Sequence, residues 1–155
     1  MTEDRIVKTI ELNAPVARVW RALTDWREFG EWFHVKLDGP FAVGQVSRGQ
    51  ITHPGCEYMN WEAHIVRMEP ERLFAYRWAQ PISHNKEFYP MDYSGEPTTL
   101  VELRLEPSPG GTRLTVTESG FAALPVDRRE RNFRANDGGW AQQMKNIEGY
   151  RAQRP

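Results

Sequence analysis

The chain has little cysteine: Cys56 is the only one among 155 residues. That excludes an internal disulfide framework and any multi-cysteine zinc or iron–sulfur site. It has no run approaching the roughly 20 apolar residues of a membrane-spanning helix, and its opening Met-Thr-Glu-Asp-Arg lacks the apolar core of a signal peptide. An excess of either charge is missing too. Lys+Arg number 20 against Asp+Glu 21, a formal net charge of −1, so no electrostatic reason exists to expect nucleic acid or an anionic membrane as partner. His34, His53, His64 and His84 are scattered, none at helical spacing with a second ligand, so no metal is expected. No GxGxxG fingerprint is present and Ser119 lacks a GxSxG elbow, which argues against a nucleotide cofactor and a hydrolase triad. The expected setting is a reducing cytoplasm, with no cofactor.

What the chain does have is aromatic bulk, 12% of residues with six tryptophans, enough to fill much of the interior of a single domain spanning 1–155. Its organising stretch runs from Asp127 to about Arg151. Phe133, Trp140, Met144, Ile147 and Tyr150 recur there on one stripe of a 3.6-residue helix. In the middle, Asn136-Asp137-Gly138-Gly139 sets polar residues where an apolar one was due, then two glycines that each cost about 1 kcal/mol relative to alanine in a helix interior. Either a helix end or kink lies there, or the helix passes close to another backbone or lines a cavity with a polar notch.

Upstream, the alternation of Arg5 to Leu12 predicts a strand. Asn13-Ala14-Pro15 predicts a helix start with Asn13 as N-cap, followed by Val16, Val19, Trp20 and Leu23 at helical spacing. Thr24 or Asp25 then caps a second short helix carrying Trp26, Phe29, Trp32 and Phe33. Turn chemistry separates five further strands, at Gln45–Thr52, Glu57–Met68, Arg72–Ala79, Thr99–Leu105 and Thr112–Ser119. Both faces of Arg72–Ala79 carry bulk, so its inner face stays unassigned. The parity of the last strand sends Glu118 to the side of Leu114 and Val116. A buried carboxylate must be paired, protonated or at a wet edge; alternatively the strand frays or bulges and Glu118 faces solvent. Gln80–Pro97 is long, irregular and too aromatic for an ordinary disordered linker, with Phe88, Tyr89 and Tyr93. It is expected to fold over an opening or to make a dimer contact.

This order predicts an α+β fold, a curved antiparallel sheet of six to seven strands wrapped around a long C-terminal helix. Residues at its corners resemble a known family. Asn13-Ala14-Pro15 with Val19-Trp20-Arg21-Ala22-Leu23-Thr24-Asp25, then Phe29 and Trp32-Phe33, are similar to the START-like, helix-grip superfamily (SRPBCC). So are Pro70-Glu71-Arg72-Leu73 with Tyr76-Arg77-Trp78, Gly110-Gly111-Thr112-Arg113-Leu114-Thr115, Glu118-Ser119-Gly120-Phe121 and Gly139-Trp140. Within it the nearest resemblance is to the branch related to the activator of the ninety-kilodalton heat-shock ATPase. It covers essentially the whole chain and implies a pocket between sheet and helix, used across the superfamily for lipids, sterols and polyketides. It carries no shared catalytic motif. The superfamily's iron-holding oxygenases use histidines with a carboxylate, a set this chain does not show.

Three functions follow as alternatives. The first is binding of a small apolar or aromatic molecule in the cavity. The second is cofactor-independent acid–base catalysis, cyclase- or isomerase-like, in the same cavity. The third is a chaperone-associated interaction domain. Candidate ligand-binding residues are Trp61, Tyr76, Trp78, Tyr89, Tyr93, Glu118, Phe121, Asn136, Asp137 and Trp140. Glu118 is the candidate catalytic base, with Asn136 or Asp137 facing it and Tyr76 or His64 donating a hydrogen bond. Cys56 follows a Pro-Gly turn and reads as a surface or edge thiol. A homodimer is left open.

Overall fold

The computed structural model describes residues 4–79 and 95–153. β1 (Arg5–Leu12) leads into α1 (Val16–Thr24) and α2 (Trp26–Phe33), followed by β2 (Val35–Leu37), β3 (Val46–Ile51), β4 (Asn60–Glu69), β5 (Leu73–Ala79), β6 (Thr98–Ser108) and β7 (Gly111–Ser119). A 3-10 turn, Phe121–Ala123, then hands the chain to α3 (Val126–Gln153). The seven strands form one antiparallel sheet in the order β1-β7-β6-β5-β4-β3-β2. This is the helix-grip arrangement that the element order predicts, with β2 as the strand the sequence reading passed over. Three residues are too few to show a period of two.

Asp25 begins α2 as its pattern predicts, accepting from the backbone N–H of Arg27 at 3.0 Å and Glu28 at 3.3 Å. The prediction for α1 is corrected. The N-cap is Pro15, in extended backbone and with no side-chain cap. The first hydrogen-bonded N–H groups of the helix, those of Arg18 and Val19, go to the Pro15 carbonyl, so the cap position is Pro15 and Asn13 lies two residues upstream of it. α2 stops at His34, which takes the left-handed conformation with φ 68°.

Strand parity sorts the sheet's two faces. Trp61, Ala63 and Ile65 of β4, Val101, Leu103 and Leu105 of β6, and Leu114 and Val116 of β7 all belong to the buried core. On β5 the inner face is that of Phe74 and Tyr76, both 0% exposed and part of that core. Leu73 and Ala75 are buried on the opposite face, which is why pattern alone could not assign it. Phe29 of α2 lies within 4.8–5.6 Å of the ring centres of Trp32, Phe33, Phe41 and Trp61. Such clustered edge and stacked contacts add to the area the rings bury.

α3 runs unbroken for 28 residues, so no helix end lies at Asn136–Gly139. Trp140, Met144 and Ile147 are buried, Phe133 and Tyr150 partly so. A Cβ added at Gly138 or Gly139 would meet nothing within 4 Å. The glycines therefore do not serve close backbone packing. The helix packs on β1 at one sheet edge and on α2, which itself packs on β2 at the other, and so spans the sheet from edge to edge. No helix among the described residues is long and apolar enough to cross a membrane.

Candidate functional site

Between the β3–β5 side of the sheet and α3 lies a cavity of about 410 Å³. The 3.6-residue period puts Asn136, Gly139, Gln143 and Asn146 on one face of α3, and all four line it, as does Gln142. The facing wall is Phe33 at the end of α2, Ile51, Met59, Trp61 and Trp78, with His53 and Cys56 from the β3–β4 connection. A recess of about 90 Å³ shares Phe33, Trp78, Asn136, Gly139 and Gln143 and is completed by Trp140. Where an alanine methyl would stand, Gly139 leaves room.

Glu118 lies behind this wall. Its inward parity on β7 holds, since it is 0% exposed, and the solvent-facing alternative is set aside. Its Oε1 accepts from the indole Nε1 of Trp140 at 2.8 Å. Its Oε2 accepts from Trp78 Nε1 at 2.8 Å and Thr99 Oγ1 at 2.6 Å. Asn136 Nδ2 lies 3.1 Å from both oxygens. A carboxylate is an acceptor only, and these donors supply the pairing its burial requires. Tyr76 stands in the same row, joined to Glu118 through Val101 on β6. Burial, and secondarily the Glu118 charge, pushes its phenol well above the ordinary tyrosine value. Its hydroxyl has no hydrogen-bond partner among the described residues.

Of the predicted site residues, Trp61, Trp78 and Asn136 line the cavity and Trp140 the recess. Four expectations need correction. Asp137 is one step around the helix from Asn136 and pairs with Lys8 of β1 at 3.0 Å, because a single residue rotates the side chain by about 100°. Phe121 is 0% exposed and packs on Phe133, ring centres 5.1 Å apart, as core and not wall. Tyr76 is likewise core and donates nothing to Glu118. His64 is exposed on the outer face of β4, since its neighbours Ala63 and Ile65 take the inner one. Tyr89 and Tyr93, with most of the 80–97 segment, lie outside the described residues. Phe33, Met59, Cys56 and Gln143 line the cavity without having been singled out as ligand contacts. Helical phase from Asn136 could have found Gln143; the others depend on how turns and helix ends pack. Among the described residues no three of His, Cys, Asp and Glu come together as a metal site.

A seven-stranded antiparallel sheet closed by a long C-terminal helix, with a cavity between them, defines a START-like domain of the SRPBCC superfamily. More narrowly, the chain belongs to the family described as activator of Hsp90 ATPase homolog 1-like protein, whose model matches residues 13–152. No curated protein matches the chain. Among solved structures, protein MLL2253 from Mesorhizobium loti is 23% identical with a TM-score of 0.74, the match covering 97% of this chain and 98% of that one. A protein from Arthrobacter aurescens, solved by solution NMR, is 18% identical with a TM-score of 0.74, covering 96% and 86%. DynU16, from the dynemicin biosynthetic locus, is 21% identical with a TM-score of 0.71; the match covers 96% of this chain but only 47% of that one. At these identities the likeness is one of fold.

Proposed function

We propose that the protein binds a small apolar or aromatic molecule in the cavity between β3–β5 and α3. The observation that carries this is the cavity itself. At about 410 Å³ it falls in the range of roughly 300–1,000 Å³ occupied by small-molecule sites. It pairs an aromatic wall with several amides, His53 and Glu62, and apolar walls with placed polar groups are how such sites combine affinity with orientation. Carriage of apolar molecules elsewhere in the superfamily is consistent with this use.

The acid–base alternative relied on Glu118, which does not line the cavity. The chaperone alternative takes its support from the family's description. The exposed large apolar residues among those described, Val7, Val43, Val66 and Val126, sit on β1, the β2–β3 connection, β4 and the start of α3.

The test is native mass spectrometry of the purified protein together with titration of the neutral fluorescent probe N-phenyl-1-naphthylamine. A co-purifying small molecule or saturable one-to-one probe binding is expected. Gly139→Leu, which fills the cavity from α3, should weaken the probe by about tenfold or more, roughly 1.4 kcal/mol. A clean apo mass with no probe binding by the wild type would remove the reading, and so would probe binding that Gly139→Leu leaves untouched.

A further inference from the structure

We propose that Glu118 is a positioning residue that sets the specificity of the cavity: by accepting the indole N–H of both Trp78 and Trp140, it makes the aromatic wall a surface without hydrogen-bond donors. This rests on the ligand-binding reading above. Three tryptophans border the cavity and its recess, and each would ordinarily offer one donor. None is left for a ligand. Trp78 and Trp140 give theirs to opposite oxygens of Glu118, each at 2.8 Å, and Trp61 gives its own to Ser47 Oγ at 3.0 Å. The Trp78 and Trp140 rings lie 6.0 Å apart at 34°, joined by one carboxylate that is itself 0% exposed.

A carboxylate suits this task better than its isosteres. It accepts at both oxygens, so two indoles can be held from opposite sides. An amide at the same place would set its NH2 against one indole N–H, donor to donor. That ring would then turn, break its register with its neighbour and present its N–H to the cavity. Asn136 completes the arrangement, since it touches the carboxylate at 3.1 Å and also lines the cavity. Hydrogen bonding to a ligand is thereby left to His53, Asn60 and Glu62 on the sheet side of the cavity and to the amides on the α3 side. There Gln143 donates to the Phe33 carbonyl at 3.0 Å, Asn146 to Gln143 and Gln142 to Asn146, each at 3.0 Å. The occupant this fits has an apolar ring face toward the tryptophans and its polar substituents directed away from them.

The experiment follows the indole N–H resonances of 15N-labelled wild type and Glu118→Gln, their hydrogen exchange, and N-phenyl-1-naphthylamine binding. In the wild type the Trp78 and Trp140 N–H groups should exchange slowly. In Glu118→Gln at least one should exchange about a hundredfold faster, with probe affinity down about tenfold and the far-ultraviolet circular dichroism unchanged. Retention of both protected resonances with wild-type probe affinity would overturn the proposal. If the wild type binds no probe while Glu118→Gln still releases an indole, the ligand reading fails and the clamp on the two rings stands. Should Glu118→Gln not fold, Thr99→Val keeps the carboxylate and removes a donor that shares Oε2 with Trp78. The Trp78 resonance should then move while that of Trp140 stays, and an unmoved Trp78 resonance overturns the clamp.

Discussion

At the scale of single residues, the molecule separates what parity decides from what rotamers decide. Alternation on β7 put Glu118 on the side of Leu114 and Val116 but left a fray or bulge open, and the structure keeps the parity because one face of the strand is core throughout. Of its donors only Asn136 was legible, from helix phase; Trp78, Thr99 and Trp140 come from three elements and meet it only through side-chain torsions. The same limit explains Tyr76, expected to donate to Glu118 and found with an unpartnered hydroxyl in the core. A buried hydroxyl without a partner costs roughly 1–3 kcal/mol. Tyr76→Phe should therefore leave stability unchanged or raise it by about 1 kcal/mol in urea unfolding, net of the small space left by the oxygen. A loss of more than about 1 kcal/mol would mean that the hydroxyl is satisfied after all.

At the scale of elements, periodicity was informative wherever a face is continuously buried. β1 is found at Arg5–Leu12 and α3 begins and ends within two residues of its expected bounds. It also held through Asn136–Gly139, where local propensity argued for a break and the alternative, a helix lining a cavity with a polar notch, is the one found. The stripe of Trp140, Met144 and Ile147 continues beyond the glycines, and its burial outweighs a propensity cost of about 1 kcal/mol for each. Gly138 is exposed and has nothing within 4 Å of an added Cβ. Gly138→Ala should raise stability by about 1 kcal/mol, measured as a shift in the urea midpoint with the slope unchanged. Gly30 in α2 is the opposite case, because an added Cβ would stand 2.5 Å from the Val35 carbonyl oxygen. There Gly30→Ala should destabilise by about 1–3 kcal/mol, since the obstacle is backbone and cannot rotate away. Equal effects at the two positions would show that α2 and β2 are not held this closely.

At the scale of the whole molecule, the sheet becomes a cavity-bearing shell only because α3 is held across it. The far end of that helix is tied to α1 and α2 by polar contacts no sequence period announces. Tyr150 donates to Glu28 Oε1 at 2.7 Å. Glu28 also pairs with Arg18 at 2.9 Å and Arg21 at 2.9 Å, and the Arg18 guanidinium stands 5.8 Å from the Tyr150 ring centre. Tyr150 thus belongs to the apolar stripe by its ring and to an ion-pair cluster by its hydroxyl. Burial first, then the hydrogen bond to the Glu28 carboxylate, pushes its phenol from an ordinary 10.0 up to about 12. The unfolded chain gives up this proton near pH 10 while the folded protein keeps it until about 12. The tie therefore contributes fully below pH 10, weakens as pH rises through that window, and is lost above it. Other tyrosines and the lysines titrate there as well, so the measurement is the difference in unfolding free energy between wild type and Tyr150→Phe. That difference should hold steady from neutral pH to about 9 and shrink between about 10 and 12. If it stays constant through the window, the hydroxyl is not bonded to Glu28 in the folded state, and the tie between α3 and the Glu28 cluster does not run through it.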